Sequence, residues 1–572
     1  AGSGDNEQAG GFRMIRVFAG SRIVQVLELV CISLMQAALA VAVAYCVQQV
    51  FDRMLASRAD IDPYFAAAIT TLLVGSLVAI AILEVRRLTT AERLSLGYIA
   101  TLRTAMFTRI MNAAPSVIHR RRESGLLLPF LGDLTAIKKW VGDGLVRAIS
   151  ATVTLTLLLS ALYLLSQALA IGAAIVVGTA IFVAFLFSGP LMRAIRRVRN
   201  RRGAIANFVS SSTRAAATVQ AFSRMSRELQ RLERRTEALT LASVRLARWS
   251  GIMSALALAA GGALVVLTLA AGVFGNEPLT AGVLAAAISL VGLASTAVRD
   301  LGIAFESGKR AQASFAKVKA ALAIAPSVKS VHRARDFAVS DGVIAFENVS
   351  VDGVLERISL SAKPGDVINI EGASGAGKSL LAALIVRLRD PDHGVVSFDG
   401  RDLRRVPTRA LRRNVGFAAV AAPLMRGSVW MNLKYRAPRA SGDELARVVD
   451  LCGLQSVIDN LPGGEQAKLS EGAPELSRSD QQRLMIARAM LGGPPLLVLD
   501  EVDSHLDEET AERLAASFAD YPGVLILAAS SQAWRRAATT IWSIADKRVI
   551  AKPAAGLAGI DGGLVTLARS AS

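Results

Sequence analysis

The sequence predicts a multidomain protein in which an all-α transmembrane domain of six spans is followed by an α/β domain with a phosphate loop. The chain has 572 residues, of which 52% are hydrophobic, and its long apolar runs lie before about position 305. Such runs are typical of membrane spans. The second half reads as soluble and contains a Gly-x-x-x-x-Gly-Lys-Ser pattern between an apolar strand and a helical run.

The length exceeds that of a usual single domain, so we expect more than one core. We assign residues 1–21 to an N-terminal segment, 22–306 to the transmembrane domain with long cytoplasmic helical extensions, 307–342 to a linker and 343–572 to the soluble domain. The first residues, AGSGDNEQAGG, are polar and glycine-rich, and we exclude them from the fold.

Six apolar stretches in the first half are long enough to cross a hydrocarbon core. They are residues 29–47, 64–83, 149–165, 168–191, 252–274 and 281–298. The connections after the first, third and fifth stretches are short, and we expect them to face outward. The other connections are long, helical in composition and rich in Arg, so we expect them on the cytoplasmic side.

The charge pattern places the protein in a membrane rather than on nucleic acid. The net charge is +19, but much of the Arg lies beside apolar spans, where cytoplasmic loops accumulate positive charge. We therefore expect an integral membrane protein in contact with lipid, in a bacterial inner membrane, with its soluble domain in the cytoplasm. We expect no nucleic-acid partner.

The three cysteines predict neither a disulfide framework nor a metal site. Cys31 and Cys46 lie inside an apolar run, and Cys452 lies in the soluble half. Their spacing contains no CxxC pattern, so we interpret them as small apolar core residues.

The phosphate loop predicts binding of ATP with Mg²⁺. Glycines allow backbone amides to surround phosphates, and the amino end of the following helix favours negative charge. Lys378 is positioned to reach the β and γ phosphates, and Ser379 to ligate magnesium. The predicted nucleotide-binding residues of this loop are Gly372, Ser374, Gly375, Ala376, Gly377, Lys378, Ser379 and Leu380.

A second apolar strand, LLVLD, ends in two acidic residues, Asp500 and Glu501. Ligands of α/β sheets bind at the carboxyl ends of strands. We predict that Asp500 binds the nucleotide and, with Ser379, holds the metal. Glu501 is the predicted catalytic residue, because a carboxylate there can orient or polarise the attacking water.

Six spans, long cytoplasmic helices and a following phosphate-loop domain together resemble an ATP-binding cassette (ABC) half-transporter of the exporter type. The stretches RRRESGLLLPFLGDLTAIKKWVGDGL, QQRLMIARAML and SHLD are similar to segments of that family. The resemblance implies that two such halves pair and bind ATP between their cassettes. VQQVFDRMLASR is weakly similar to type I secretion members of the family.

The cassette departs from the family pattern at its signature segment. Where the family has LSGGQ, this chain reads LSRSD at 476–480. The resemblance gives Ser477 and Ser479 as nucleotide contacts. Both glycines are replaced, and Asp480 adds negative charge near a partner's phosphate, which Arg478 offsets in part.

Three further family positions are altered. The glutamine of the glutamine loop aligns with Val420, and the switch histidine with Ala529, after which the chain contains no His. The aromatic residue that would stack on adenine aligns near Gly353, with only Phe346 close in sequence. Loss of one preorganised group commonly slows a reaction about a hundredfold to a thousandfold. We expect ATP binding to persist and hydrolysis to be weak or dependent on the partner.

Two functions remain open from the sequence. The first is an ATP-binding subunit of an exporter for an unidentified substrate, paired with a second half-transporter that is either a copy of itself or a homologue. The alternative is a nucleotide-locked structural or regulatory subunit of a membrane or secretion complex, in contact with secretion-complex proteins, with little or no transport of its own.

Overall fold

The structure, a computed structural model, describes residues 20–55, 63–114, 117–118, 132–274, 280–328, 337, 339–420 and 422–554. The chain divides into two compact units, Ala1–Ala325 and Pro326–Ser572. Part of the predicted N-terminal segment and part of the stretch 120–145, which resembles a family loop, lie outside the described residues.

The described part of the first unit is helical throughout its regular structure. Its α-helices are α1 (Arg22–Gln49), α2 (Pro63–Met111), α3 (Leu134–Lys139), α4 (Leu145–Leu165), α5 (Gln167–Leu186), α6 (Ser188–Arg214), α7 (Ala216–Ala221), α8 (Met225–Phe274) and α9 (Ala281–Leu322). Two π-helical turns, Val50–Leu55 and Trp140–Gly144, extend α1 and connect α3 to α4.

Six helices among the described residues are long and apolar enough to cross a membrane, which confirms the six predicted spans. The longest, α8, has 50 residues and measures about 75 Å at 1.5 Å per residue. A hydrocarbon core is only about 30 Å thick, so α8 has the length to extend well beyond it. Helix α9 continues to Leu322, so the range 307–342 that we assign to a linker begins inside this helix.

Small residues and leucines form the helical core where α4, α5, α8 and α9 pack together. Leu158, Leu264, Ala287 and Leu290 are fully buried there. Small side chains let helix backbones approach closely. In the most apolar 18-residue segment of α2 only 6% of the residues are buried, whereas 44% are buried in the corresponding segment of α9. Helix α9 is therefore central, and α2 presents an apolar surface suited to lipid.

The second unit has α/β architecture, as predicted. Its strands are β1 (Ile344–Val351), β2 (Leu355–Ala362), β3 (Val367–Gly372), β4 (His393–Phe398), β5 (Arg401–Asp402), β6 (Val415–Ala419), β7 (Gly427–Ser428), β8 (Lys468–Leu469), β9 (Leu496–Asp500), β10 (Val524–Ala528), β11 (Thr540–Ala545) and β12 (Arg548–Pro553). Its α-helices are α10 (Lys378–Ile385), α11 (Thr408–Arg413), α12 (Val429–Leu433), α13 (Gly442–Leu451), α14 (Gln455–Asp459), α15 (Arg478–Met490), α16 (Glu508–Ala519) and α17 (Gln532–Ala537).

The strands form a six-stranded sheet of order β12-β11-β3-β10-β9-β6, a four-stranded sheet of order β2-β1-β4-β5 and the pair β7-β8. In the six-stranded sheet all neighbours are parallel except β11 and β12. Every residue of β9 and β10 is buried, as expected for central strands covered on both faces. The carboxyl ends of β3, β6, β9 and β10 consequently lie along one edge.

Candidate nucleotide site

The phosphate loop connects β3 to α10 through two residues with left-handed backbone. Gly375 has φ of +81° and Gly377, the N-cap of α10, has φ of +112°. Residues that have a Cβ atom rarely adopt such backbone angles. Gly375 and Gly377 therefore serve the turn itself, and they allow a ligand to approach the backbone.

Lys378 lies at the start of α10 and folds back over the loop. Its Nζ donates hydrogen bonds to the carbonyl oxygens of Gly372 at 2.9 Å and of Ala373 at 3.3 Å. These contacts hold the ammonium group beside the loop in which phosphates would bind.

The side chains of three other predicted loop residues do not line the cavity around Lys378. Ser374 is exposed, whereas Ala376 and Leu380 are half-buried and pack against the core beneath the four-stranded sheet. Leu380 thus anchors α10, and only its backbone is suited to contact a nucleotide.

Ser379 and Asp500 come together from two distant parts of the chain. The Ser379 hydroxyl donates to Asp500 Oδ1 at 3.1 Å. Burial raises the pKa of Asp500; the hydrogen bond from Ser379 opposes this shift, the charge of Glu501 adds to it and that of Lys378 opposes it. A desolvated carboxylate favours a cation beside it.

A hydroxyl and a carboxylate oxygen are suitable ligands for Mg²⁺, which usually takes one or two carboxylates and completes its shell with water and phosphate oxygens. No group of three or more His, Cys, Asp or Glu side chains that could hold a metal occurs within the described ranges. The pair Ser379 and Asp500 fits a magnesium ion bound together with its nucleotide rather than a metal held by protein alone.

Glu501 follows directly and has φ of +55°, an unfavourable angle for a residue with a side chain. Its backbone N–H donates to the carbonyl oxygen of Ala528 at 3.1 Å, which fixes the turn against β10. Its exposed side chain lines a cavity of about 200 Å³. The other lining residues are Ile370, Glu371, Gly372, Lys378, Asp503, Ser504, Ala528, Ala529, Ser530 and Arg535.

The positions of the missing family side chains also lie at this edge. Ala529 lines the cavity and ends in a methyl group, and its N–H donates to Asn369 Oδ1 at 3.1 Å. Val420 is 60% exposed and follows β6 at the level of Asp500, which pairs with Ala419. Neither side chain can donate or accept a hydrogen bond.

The aromatic residue nearest to the expected adenine position belongs to the core. Phe346 is 2% exposed and packs edge-on against Trp542, with ring centroids 5.9 Å apart. Gly353 lies in the turn between β1 and β2 with φ of +79°. Phe346 is therefore not placed to stack on a base.

The signature residues lie at the start of α15 and have partners within the chain. Ser477 is the N-cap of α15, and its Oγ accepts from the N–H of Asp480 at 3.1 Å and donates to Asp480 Oδ2 at 2.6 Å. Ser479 Oγ accepts from Arg483 Nε at 3.3 Å. Neither serine lines the cavity around Lys378.

Several polar residues in and around the cavity are not among the predicted site residues. Asn369 is fully buried in β3, and its Nδ2 donates to Glu371 Oε1 at 3.3 Å. Glu371 also pairs with Arg535, and Asp503 Oδ2 accepts from the N–H groups of Ser530 at 2.8 Å and Ser531 at 2.9 Å. The available signal was VINIEG itself, because two polar residues interrupt a strand that should be uniformly apolar.

Comparison with known proteins identifies both halves. Residues 26–298 match the ABC transporter transmembrane region, and residues 355–504 match the ABC transporter domain. The chain is 24% identical over 480 residues to the ATP-dependent lipid A-core flippase of Desulfotalea psychrophila, a match that covers 83% of each chain. It is 30% identical over 305 residues to the beta-(1→2)glucan export ATP-binding/permease protein NdvA of Rhodopseudomonas palustris, covering 52% of this chain and 51% of the relative.

The fold is similar to that of a bacterial Atm1-family ABC exporter solved with ATP bound. The TM-score is 0.83 at 20% sequence identity, and the match covers 94% of this chain and 96% of that exporter chain. At this identity the likeness concerns the fold.

Proposed function

Because the chain belongs to the ABC transporter family and has the fold of an ABC exporter, we propose that it is an ATP-binding exporter subunit whose own site hydrolyses ATP slowly. It pairs with a second half-transporter, a copy of itself or a homologue. The chain is an integral membrane protein, and we place it in a bacterial inner membrane with its cassette in the cytoplasm.

The observation that carries this proposal is a contrast within the site: the residues suited to bind phosphate and magnesium are in place, whereas two positions that assist hydrolysis in the family carry hydrocarbon side chains. Lys378, Ser379 and Asp500 are assembled at one edge of the sheet, with Ser379 and Asp500 in hydrogen-bond contact. Backbone amides, a lysine and a magnesium ion supply most of the phosphate-binding interactions in such loops. This supports binding of ATP with Mg²⁺.

ATP hydrolysis at this site lacks two side chains that assist it in the family, the switch histidine and the glutamine of the glutamine loop. Glu501 lines the same cavity as Lys378 and is suited to polarise water. The hydrocarbon side chains of Ala529 and Val420 cannot form hydrogen bonds to that water or to the γ-phosphate. Removing groups that act in the transition state lowers the rate while leaving ground-state binding. We therefore expect slow hydrolysis by an occupied site.

The signature segment of this chain would face the nucleotide that the second chain of the pair binds. The Ser477 hydroxyl is engaged with Asp480 on both its donor and acceptor sides. A partner's nucleotide facing α15 would compete with these bonds and meet the Asp480 carboxylate. In a homodimer both sites would share every defect, whereas an intact homologous partner would offer this chain's phosphate loop an ordinary signature segment.

Binding of nucleotide is tested by Lys378→Ala in the full-length protein in lipid bilayers, with the exposed Lys363→Ala as the matched control. We expect Mg²⁺-dependent ATP binding by the wild type and by Lys363→Ala, and its loss in Lys378→Ala. Equal ATP affinity in all three proteins would contradict the proposal.

A second candidate is a structural or regulatory subunit that uses bound ATP to lock two cassettes together. The Ser477 hydroxyl is already bonded to Asp480, and Ala529 offers only a methyl group, so both positions favour a chain with little hydrolysis. ATP binding alone can stabilise an assembly without turnover. The two candidates predict different results when the chain is reconstituted with a half-transporter that has an intact LSGGQ segment and switch histidine. ATP-dependent substrate movement that requires both chains supports the exporter, whereas assembly without movement supports the regulatory subunit.

A further inference from the structure

The cavity beside the phosphate loop is lined by a basic side chain, that of Arg535, to which no sequence motif gives a role. Lys378 and Arg535 are the two basic residues among its lining residues, and Glu371, Glu501 and Asp503 are the three acidic ones. An incoming triphosphate adds further negative charge. A basic side chain that contacts a phosphate oxygen would offset part of this repulsion through a charge-assisted hydrogen bond.

Arg535 is brought to the cavity by fixed neighbours. The Asp503 carboxylate holds the N–H groups of Ser530 and Ser531, and Ser531 is the N-cap of α17. The adjacent Trp534 is 1% exposed and packs against Phe518 at 5.5 Å between ring centroids. The position of the Arg535 backbone is therefore determined by buried contacts, while its side chain remains 51% exposed.

The present partner of Arg535 is a carboxylate that can be exchanged. Arg535 Nε lies 3.1 Å from Glu371 Oε1 in an ion pair whose side chains are 51% and 31% exposed. Ion pairs with this degree of exposure contribute little to stability. Glu371 keeps a second partner, because the buried Asn369 Nδ2 donates to the same oxygen at 3.3 Å.

We propose that Arg535 binds the γ-phosphate of ATP, exchanging Glu371 for the nucleotide, and that it thereby supplies the triphosphate preference of a site in which position 529 carries only a methyl group. The guanidinium group has five N–H donors in a planar fork that matches phosphate oxygens. Asn369 links this exchange to the loop after β10, because its Oδ1 accepts from the N–H of Ala529. The inference rests on the proposed function.

The experiment compares the affinities of ATP and ADP, both with Mg²⁺, for the full-length protein in lipid bilayers. The variants are Arg535→Ala, Arg535→Lys and Glu371→Gln. The control is Arg536→Ala, because Arg536 is the next residue of α17, is exposed and bonds only to Gln532 among the described residues, at 3.2 Å.

We expect Arg535→Ala to weaken ATP binding by roughly tenfold and to change ADP binding by less than about twofold, since one charge-assisted contact to the third phosphate is lost. Arg535→Lys should restore part of the ATP affinity. Glu371→Gln should leave ATP binding equal or tighter, because it removes the competing carboxylate. Arg536→Ala should match the wild type.

Equal loss of ATP and ADP affinity in Arg535→Ala would overturn the inference, as would the same loss in Arg536→Ala. So would a fall of ATP affinity in Glu371→Gln as large as that in Arg535→Ala, because the pair would then be structural. Failure of the proposed nucleotide binding is distinguishable, since the wild type would then bind neither ATP nor ADP, and failure of the proposed slow turnover would appear in the ATPase rate rather than in these affinities.

Discussion

The Ser379 hydroxyl donates to Asp500 Oδ1 at 3.1 Å, across 121 positions of sequence. This bond joins the start of α10 to the carboxyl end of β9, and it places the two predicted magnesium ligands within reach of one ion. Because Asp500 is 7% exposed, a bound cation would balance a charge that burial disfavours.

Replacing Asp500 by Asn should remove the magnesium dependence of ATP binding. The amide keeps an oxygen for Ser379 but carries no charge for the metal. Affinity is measured in the full-length protein with Mg²⁺ and with a chelator, and Asp520→Asn, at an exposed position after α16, is the control. Retention of full magnesium dependence in Asp500→Asn would show that other groups hold the ion.

Replacing Ser477 by Ala should destabilise α15 without weakening nucleotide binding to the same chain. Ser477 caps this helix through the N–H of Asp480, and loss of such a cap costs about 1 kcal/mol. Thermal unfolding measures the effect, and Ser477→Asn, a good capping residue, should recover most of it. An unchanged melting temperature in Ser477→Ala would rule out the cap as a stabilising contact.

Cys452 should be unreactive in the folded cassette. It is fully buried, and burial raises the pKa of its thiol from an ordinary 9.0 to about 12. Ionising the thiol is disfavoured in the folded state, so stability from this group is present below pH 9.0 and is lost as pH rises through about 12.

Thiol labelling at pH values between neutrality and 9.0 tests this in a Cys31→Ala, Cys46→Ala background. We expect labelling of Cys452 only after denaturation, whereas Ser517→Cys, at an exposed position of α16, should react in the native protein. Rapid native labelling of Cys452 would contradict its buried position.

The elements predicted from sequence were those with local signals. The six spans and the phosphate loop follow from runs of adjacent residues, namely apolar stretches of sufficient length and glycines at fixed spacing before Lys378. The strand ending at Asp500 was visible for the same reason, because a buried parallel strand is a continuous apolar run.

The polar network could not be derived in this way, because it depends on which strands are neighbours. Asn369 reaches Ala529 because β3 pairs with β10 in parallel, with Leu527 opposite Asn369. These residues are about 160 positions apart, and nothing in the local sequence sets their register. The altered family positions at Val420 and Ala529, and the similarity to type I secretion members, stay predictions about function.

The most direct test of slow turnover is the steady-state ATPase activity of the purified full-length chain in lipid, alone and as Glu501→Gln. Typical enzymes turn over at about 1–1000 per second. We predict a rate for the chain alone at least about a hundredfold below that of an exporter with intact switch residues, despite ATP binding that requires Lys378. Hydrolysis at ordinary exporter rates that Glu501→Gln abolishes would contradict the account.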